Sequence, residues 1–338
     1  MGTSLPDRTS WSRNMPCSWR SLRRRLLTLT PDGTVAVRRG TGLADTTTRS
    51  VFEMVDRTVQ AGFDAALDST SVGELEARLD RTARDFRSFA YEGAAAAYAM
   101  LDAVAPTRTR RVGRLLTGRG AAHRFLIYFG VGRAIGRLPR FRWRSVLPAD
   151  PVLHWLAVDG LGFHRATLDP IRHVRQQYRA DVAGWPHGDF RHYLDRALDQ
   201  GTGRAMWFVE GADVDRVIAT VRRFPADRHD DLVSGVGYAA TYTGGVSEPA
   251  LRRLWQLSGE HRSFLAQGAA FAALARDRAG LVNAHTRTAV AVLCGTSVEQ
   301  AADIAERSET DLSPDGALPS YEVWRQRIAD RFTSRSRR

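Results

Sequence analysis

Glycine recurs along this chain at a near-constant interval, beside small or aromatic residues, and that interval constrains the fold more than any other feature. The positions are Gly62, Gly93, Gly130, Gly160, Gly201, Gly235, Gly268 and Gly295, spaced 31, 37, 30, 41, 34, 33 and 27 residues apart, or about 33 on average. Self-similarity at such a period marks stacked helical hairpins. Glycine inside a helix costs about 1 kcal/mol relative to alanine. Its recurrence therefore asks for a shared packing reason, namely close approach of neighbouring helices where only Gly or Ala fits between the axes. Two types of segment alternate. One contains Gly62 with Ala66, Gly130 with Ala134, Gly201 with Ala205 and Gly268 with Ala272; the other contains Gly93, Gly160 and Gly235, with Gly295 a weak member.

The hydrophobic pattern agrees with helices. Val51, Phe52, Val55, Val59, Phe63 and Leu67 form a stripe of period 3.6 over residues 50–67. Ser71 followed by Glu74 has the spacing of a capping box. Further helices are expected over residues 110–116, 123–138, from Val152, 190–209, 214–224, 230–243, 248–257, 260–278, 285–294, 297–306 and 321–332, the last as a terminal amphipathic cap. Thr34 to Val37 is the one short extended piece expected, and residues 169–189 are the least regular stretch, a candidate loop over a groove. The fold class is all-α, with tandem helical-hairpin repeats of about 33 residues forming a solenoid or curled superhelix. The expected organisation is a disordered tail over 1–14, a basic segment over 15–49, a single helical domain over 50–332 and a basic tail over 333–338.

Composition narrows the function classes. All 49 basic residues are arginine, which excludes a Walker-type lysine, a Schiff-base lysine and a lysine general base. The net charge of +12 is concentrated at the ends, +6 on residues 1–49 and +5 on 325–338, leaving about +1 on the rest. A nearly neutral body argues against nucleic acid as a partner, and leaves the termini as solvated tails or contacts for an acidic partner or an anionic membrane surface. Cys17 and Cys294 are too few for a disulfide framework or a cysteine zinc site. No uninterrupted apolar run approaches a membrane span and no secretory leader is evident, so a cytoplasmic location is expected.

Candidate chemistry gathers next to the glycines. The residues just before them are Ala61, Glu92, Phe129, Asp159, Gln200, Ser234, Gln267 and Cys294, mostly polar groups on helices that should be buried. Buried polar groups need partners. They form either a polar stripe along a cavity, with Glu92 and Asp159 as an acid/base pair and His164, nearly a turn and a half beyond Asp159, as a further polar group that does not pair with it directly, or a hydrogen-bond ladder that locks neighbouring repeats. Gln200, Arg204, Gln267, Trp155 and Trp207 are the candidate ligand contacts. His123 and His261 occupy matching repeat positions, which duplication explains. His187 and His192 lack a third ligand, so no metal is expected, and nothing in the sequence names a cofactor. Residues 199–204 have the look of a glycine-rich nucleotide loop but lack the preceding strand. Cys294 reads as an inert buried thiol.

Five ordered motifs carry a family resemblance: Phe89-Ala90-Tyr91-Glu92-Gly93-Ala94, Asp159-Gly160-Leu161-Gly162-Phe163-His164, Asp199-Gln200-Gly201-Thr202-Gly203-Arg204, Ser234-Gly235-Val236-Gly237 and Ala266-Gln267-Gly268-Ala269-Ala270-Phe271. Together, over residues 17–332, they resemble an actinobacterial family of unknown function found in enediyne antibiotic gene clusters. The resemblance implies a part in building or maturing the enediyne core from a linear polyene made by a polyketide synthase. It supplies no catalytic residues. Two functions are therefore expected in competition: a protein that binds or transforms a polyene-derived intermediate in an apolar groove, or a non-catalytic adaptor that assembles other pathway enzymes.

Overall fold

The computed structural model describes residues 46–336 except 106–108, 180–181, 183–184, 187–189 and 313–316. The expected strand at Thr34 to Val37, Cys17, His187 and most of the basic N-terminal segment lie outside the described residues. Among the described residues the protein is all-α, with no strand. Long and short helices alternate. α1 (Thr46–Asp68) is followed by the short α2 (Val72–Leu79), α3 (Arg87–Val104) by α4 (Arg111–Thr117), and α5 (Arg124–Ile135) by α6 (Trp143–Val146). α7 (Trp155–Leu168) is followed by a π-helical turn (Ile171–Arg175), α8 (Arg191–Val209) by α9 (Val214–Val221), and α10 (His229–Tyr242) by α11 (Glu248–Leu257). α12 (Arg262–Arg278) and α13 (Ala284–Leu293) follow, then α14 (Val298–Ser308) and α15 (Ser320–Ser336).

Local chemistry sets these boundaries. Ser71 accepts from the Glu74 amide at 3.1 Å, while the Glu74 carboxylate turns back to the Thr70 amide at 2.8 Å, a capping box displaced by one residue. Asp213, Asn283 and Ser297 cap α9, α13 and α14 in the same way. α7 starts at Trp155, later than expected, because Asp150 first caps a turn through the amides of Val152 and Leu153.

The long helices pack on one another in chain order, α1 on α3, α3 on α5, then α7, α8, α10 and α12. The glycines explain how. A Cβ placed on Gly130 would overlap the carbonyl of Glu92; on Gly160, that of Phe129; on Gly201, Asp159; on Gly235, Gln200; on Gly268, Ser234. Each acceptor is the residue just before the previous repeat glycine. A second set, Gly62, Gly132, Gly162, Gly203 and Gly237, faces forward onto the carbonyls of Ala90, Ala157, Leu198, Leu232 and Leu265. Each of these precedes the next repeat glycine by three residues. Adjacent backbones thus meet without intervening side chains. Gly295 does not belong to this set; it has φ +63° and ends α13, where a left-handed residue is needed.

Successive long helices are parallel. On α10 and α12, Asp230 pairs with His261, Ser234 with Gln267 and the Tyr242 carbonyl with Arg276, in ascending order along both helices. Ser88 and His123 meet near the starts of α3 and α5, and Gly136 meets His164 near the ends of α5 and α7. The short helices supply the return. The row also folds back on itself: Phe52 reaches Phe208 at 4.7 Å, Phe89 reaches Tyr242 at 5.4 Å and Phe125 reaches Phe271 at 5.3 Å. Arg276 of α12 donates to the Asp85 carbonyl ahead of α3 at 3.1 Å.

α15 is built into this core. Tyr321, Trp324, Ile328 and Phe332 are buried, with the Trp324 ring 4.7 Å from Phe271. Arg325 is buried too and donates to Asp231, Glu322 and Tyr193 at 2.8, 2.8 and 3.1 Å. One of the charges counted on residues 325–338 is therefore a core element, with acceptors from α8, α10 and α15 itself satisfying it.

Candidate functional site

α1, α3, α5, α7, α8 and α10 converge on one narrow cleft of about 40 Å³. Its walls are mostly apolar, with Val55, Val59, Phe89, Phe129, Phe163, Phe208, Tyr238 and Tyr242 among them. Glu92, Arg133 and Arg204 are the buried or nearly buried charged groups on its lining. A volume of this size holds a few water molecules, and an extended organic chain would have to move the walls.

Two ion pairs stand here. Arg133 Nη1 lies 2.6 Å from Glu92 Oε1, between α5 and α3. Arg204 Nη2 lies 2.6 Å from Asp159 Oδ2, between α8 and α7. Both arise from the same local pattern. The acid precedes a repeat glycine, and the arginine ends a Gly-X-Gly-Arg segment on the next long helix of the row, at residues 130–133 and 201–204. The glycines bring the backbones together and the arginine, one turn on, reaches back. At the corresponding positions of α10 and α12 the acid is replaced by Ser234 and the arginine by Phe271. The Arg204 guanidinium also lies 3.5 Å over the Tyr238 ring and 5.2 Å from Phe129, a stacked cation between aromatic faces.

Burial governs the electrostatics. It pushes the Glu92 carboxyl above its ordinary range, against the pull of Arg133. It raises Asp159 to about 6, against Arg204 and Arg325. Tyr238 and Tyr242 are raised by the same cause. Glu92 is thus a carboxyl on the cleft wall whose proton is held more tightly than in water, the property of a general acid.

The structure separates the other residues singled out from sequence. Asp159 stands behind Arg204 and is not on the cleft wall, so Glu92 and Asp159 are in two different ion pairs and not joined as one. His164 is buried on α7 against Gly136, away from the lining. Trp155 packs edge-on to Tyr193 at 4.9 Å and Trp207 is fully buried; neither lines the cleft, because large apolar rings fill the inter-helix space. Gln200 and Gln267 belong to a smaller crevice that also touches Arg204. There Gln200 donates to Asp231 at 3.1 Å and Tyr193 at 3.2 Å, and Ser234 donates to Gln267 at 2.5 Å. Cys294 donates to the Ala266 carbonyl at 3.4 Å. The polar residues before the glycines therefore bridge neighbouring helices. No described residue of the irregular stretch 169–189 lines the cleft; Val174, Val182 and Trp185 are buried, Trp185 beside Trp143 at 5.7 Å.

Sequence reasoning overlooked Arg133, Tyr238 and the buried Asp231, Glu322 and Arg325. Arg133 had a usable signal, since it repeats Arg204 in the Gly-X-Gly-Arg pattern. Tyr238 holds the same fourth position in Gly235-Val236-Gly237-Tyr238, but its partner was not legible, because its contact depends on Arg204 crossing from α8. Among the described residues no group of three or more His, Cys, Asp or Glu is arranged to hold a metal, and no helix is long and apolar enough to cross a membrane.

A family model described as "Protein of unknown function (DUF1702)" matches residues 18–332. The chain belongs to that family. No curated protein and no solved structure matches.

Proposed function

We propose that this DUF1702 protein handles a polyene-derived polyketide intermediate of enediyne antibiotic biosynthesis in its central cleft. The observation that carries the reading is a buried carboxyl, Glu92, beside two arginines in a cleft whose remaining walls are largely aromatic and aliphatic, with Asp56, Thr167 and Thr243 the other polar groups on the lining. Aromatic faces suit a conjugated chain, and a carboxyl with a raised pKa suits proton transfer to or from it. The motif set that resembles an enediyne-cluster family supports the pathway. In this reading Glu92 moves the proton, Arg133 and Arg204 set its charge environment, and Asp159 holds Arg204 in place. His164 keeps a candidate role only if the walls move. We also read the row of long helices as a curled array of duplicated hairpin units, since the glycine contacts and the acid–arginine pairs recur at the repeat period.

A second reading is a non-catalytic adaptor for other pathway enzymes. The small volume of the cleft favours it.

The test is to mix purified protein with the polyene released by its cognate synthase, following absorbance and then mass. A new product mass that Glu92→Gln abolishes, with the fold intact by circular dichroism, supports the enzyme. A shifted polyene spectrum at unchanged mass supports a carrier. Neither change supports the adaptor and rejects the cleft reading.

A further inference from the structure

Successive long helices run in the same sense, so the C-terminal ends of α3, α5 and α7 are neighbours at one end of that part of the row. That end carries the most exposed large apolar side chains among the described residues: Val104 is 61% exposed, Phe141 77%, Leu168 58% and Ile171 55%. Arg142, Arg144 and Arg172 are exposed with them. Arg142 lies 5.3 Å over the Phe141 ring and Arg172 lies 4.0 Å over Tyr178. Residues 137–148 contain four arginines and no acid, and residues 170–178 contain two arginines and no acid. Acids flank these segments without entering them: Asp169, itself exposed, caps the Arg172 amide at 3.0 Å, and Asp150 caps the amides of Val152 and Leu153 at 2.8 and 2.9 Å.

Arginine after a helix C-terminus has an ordinary explanation, since it complements the negative end of the helix dipole. That explanation does not account for the exposed phenylalanine, leucine and isoleucine among the arginines. Nucleic acid would use the charge and leave the aliphatic side chains without a role. Apolar side chains flanked by arginine, in contrast, match the boundary between lipid headgroups and acyl chains. There the apolar groups enter the membrane and the guanidinium groups meet phosphates.

We propose that this end of the molecule seats on the surface of an anionic phospholipid bilayer, with Phe141, Leu168 and Ile171 inserted and Arg142, Arg144 and Arg172 on the headgroups. Thr167 lines the central cleft and Leu168 is the next residue, so along α7 the seat lies one residue from the cleft wall. The seat does not depend on what the cleft does.

The test is flotation of the full-length protein with vesicles of phosphatidylcholine alone and of phosphatidylcholine with 30 mol% phosphatidylglycerol, the lipid fraction being an experimental choice. The expected result is binding to the anionic vesicles only, reduced at least tenfold in F141S/L168S/I171S and in R142Q/R144Q/R172Q. Because the arginine-rich chain ends offer a competing route, Phe141→Trp is the second reporter. Its emission, taken as the difference from wild type, should shift to the blue on anionic vesicles and be quenched by brominated acyl chains. Undiminished binding by both triple variants, or a silent difference spectrum for F141W, overturns the proposal. Retention on duplex DNA in place of vesicles, lost in the arginine variant, also overturns it.

Discussion

Arg204 Nη2 lies 2.6 Å from Asp159 Oδ2, while the flat face of the same guanidinium rests 3.5 Å above the Tyr238 ring. The carboxylate has no exposed surface. Three helices, α7, α8 and α10, are therefore joined through one arginine. In a dry interior a paired charge is tolerated and an unpaired one is not, so the arrangement matters more for what its loss exposes than for net stability.

Removing one partner should be far worse than removing both. Asp159→Asn is expected to cost about 3–5 kcal/mol by leaving Arg204 buried and unpaired. The double variant Asp159→Leu with Arg204→Met should recover most of that loss. Urea unfolding of the three proteins measures both steps; a double variant no more stable than the single one would show that the pair itself is indispensable.

The inter-helix glycines should tolerate nothing larger. At Gly201 a methyl group meets the backbone carbonyl of Asp159 and the Phe163 amide, neither of which can swing away. Gly201→Ala should destabilise by about 3 kcal/mol or more, at the upper end of overpacking costs. Gly73, inside α2 with nothing within 4 Å of its missing Cβ, is the control. Gly73→Ala should gain about 0.5–1 kcal/mol from helix propensity and reduced chain entropy. Chemical denaturation of the two variants should give opposite signs.

His123 should make stability depend on pH. Burial lowers its pKa to about 4, from 6.5, where it shares a hydrogen bond with Ser88 at 2.8 Å and stacks on Tyr91 at 4.1 Å. The unfolded chain binds the proton first, so this stability is fully present above pH 6.5 and is lost as pH falls towards 4. The loss amounts to about 3 kcal/mol. Asp159, raised to about 6, contributes with the opposite sign over much of the same interval. The His123→Gln variant should therefore lose less stability than wild type between pH 7 and pH 4. Unfolding curves across that range that stay parallel for the two proteins would refute the assignment.

α15 should depend on Arg325 much more than on Arg196. Both arginines contact Asp231 and Glu322, but Arg325 is buried while Arg196 is partly open to water. Arg325→Met leaves buried acids without their inner cation and should cost about 3–5 kcal/mol. Arg196→Met should cost about 1 kcal/mol or less, because water screens the outer side. Thermal unfolding ranks them, and equal shifts would contradict the role given to burial.

Much of the architecture was legible because it rests on local steric rules. Glycine recurring about every 33 residues announced helices whose backbones touch, and Ser71 announced where a helix begins. Those rules act within a few residues, so a single chain displays them. The sequence by itself determined that the protein is all-α and that polar groups sit beside the glycines. Tertiary structure decided which polar groups meet. Glu92 finds Arg133 and Asp159 finds Arg204 across 41 and 45 residues, and among so many arginines nothing local distinguishes a buried partner from a solvated one. It also decided that Trp155, Trp207 and His164 fill space away from the cleft, and that Arg325 belongs to the core. Which face of a helix turns inward depends on the crossing geometry of its neighbours. That geometry is a collective property of packing, and no window of sequence contains it.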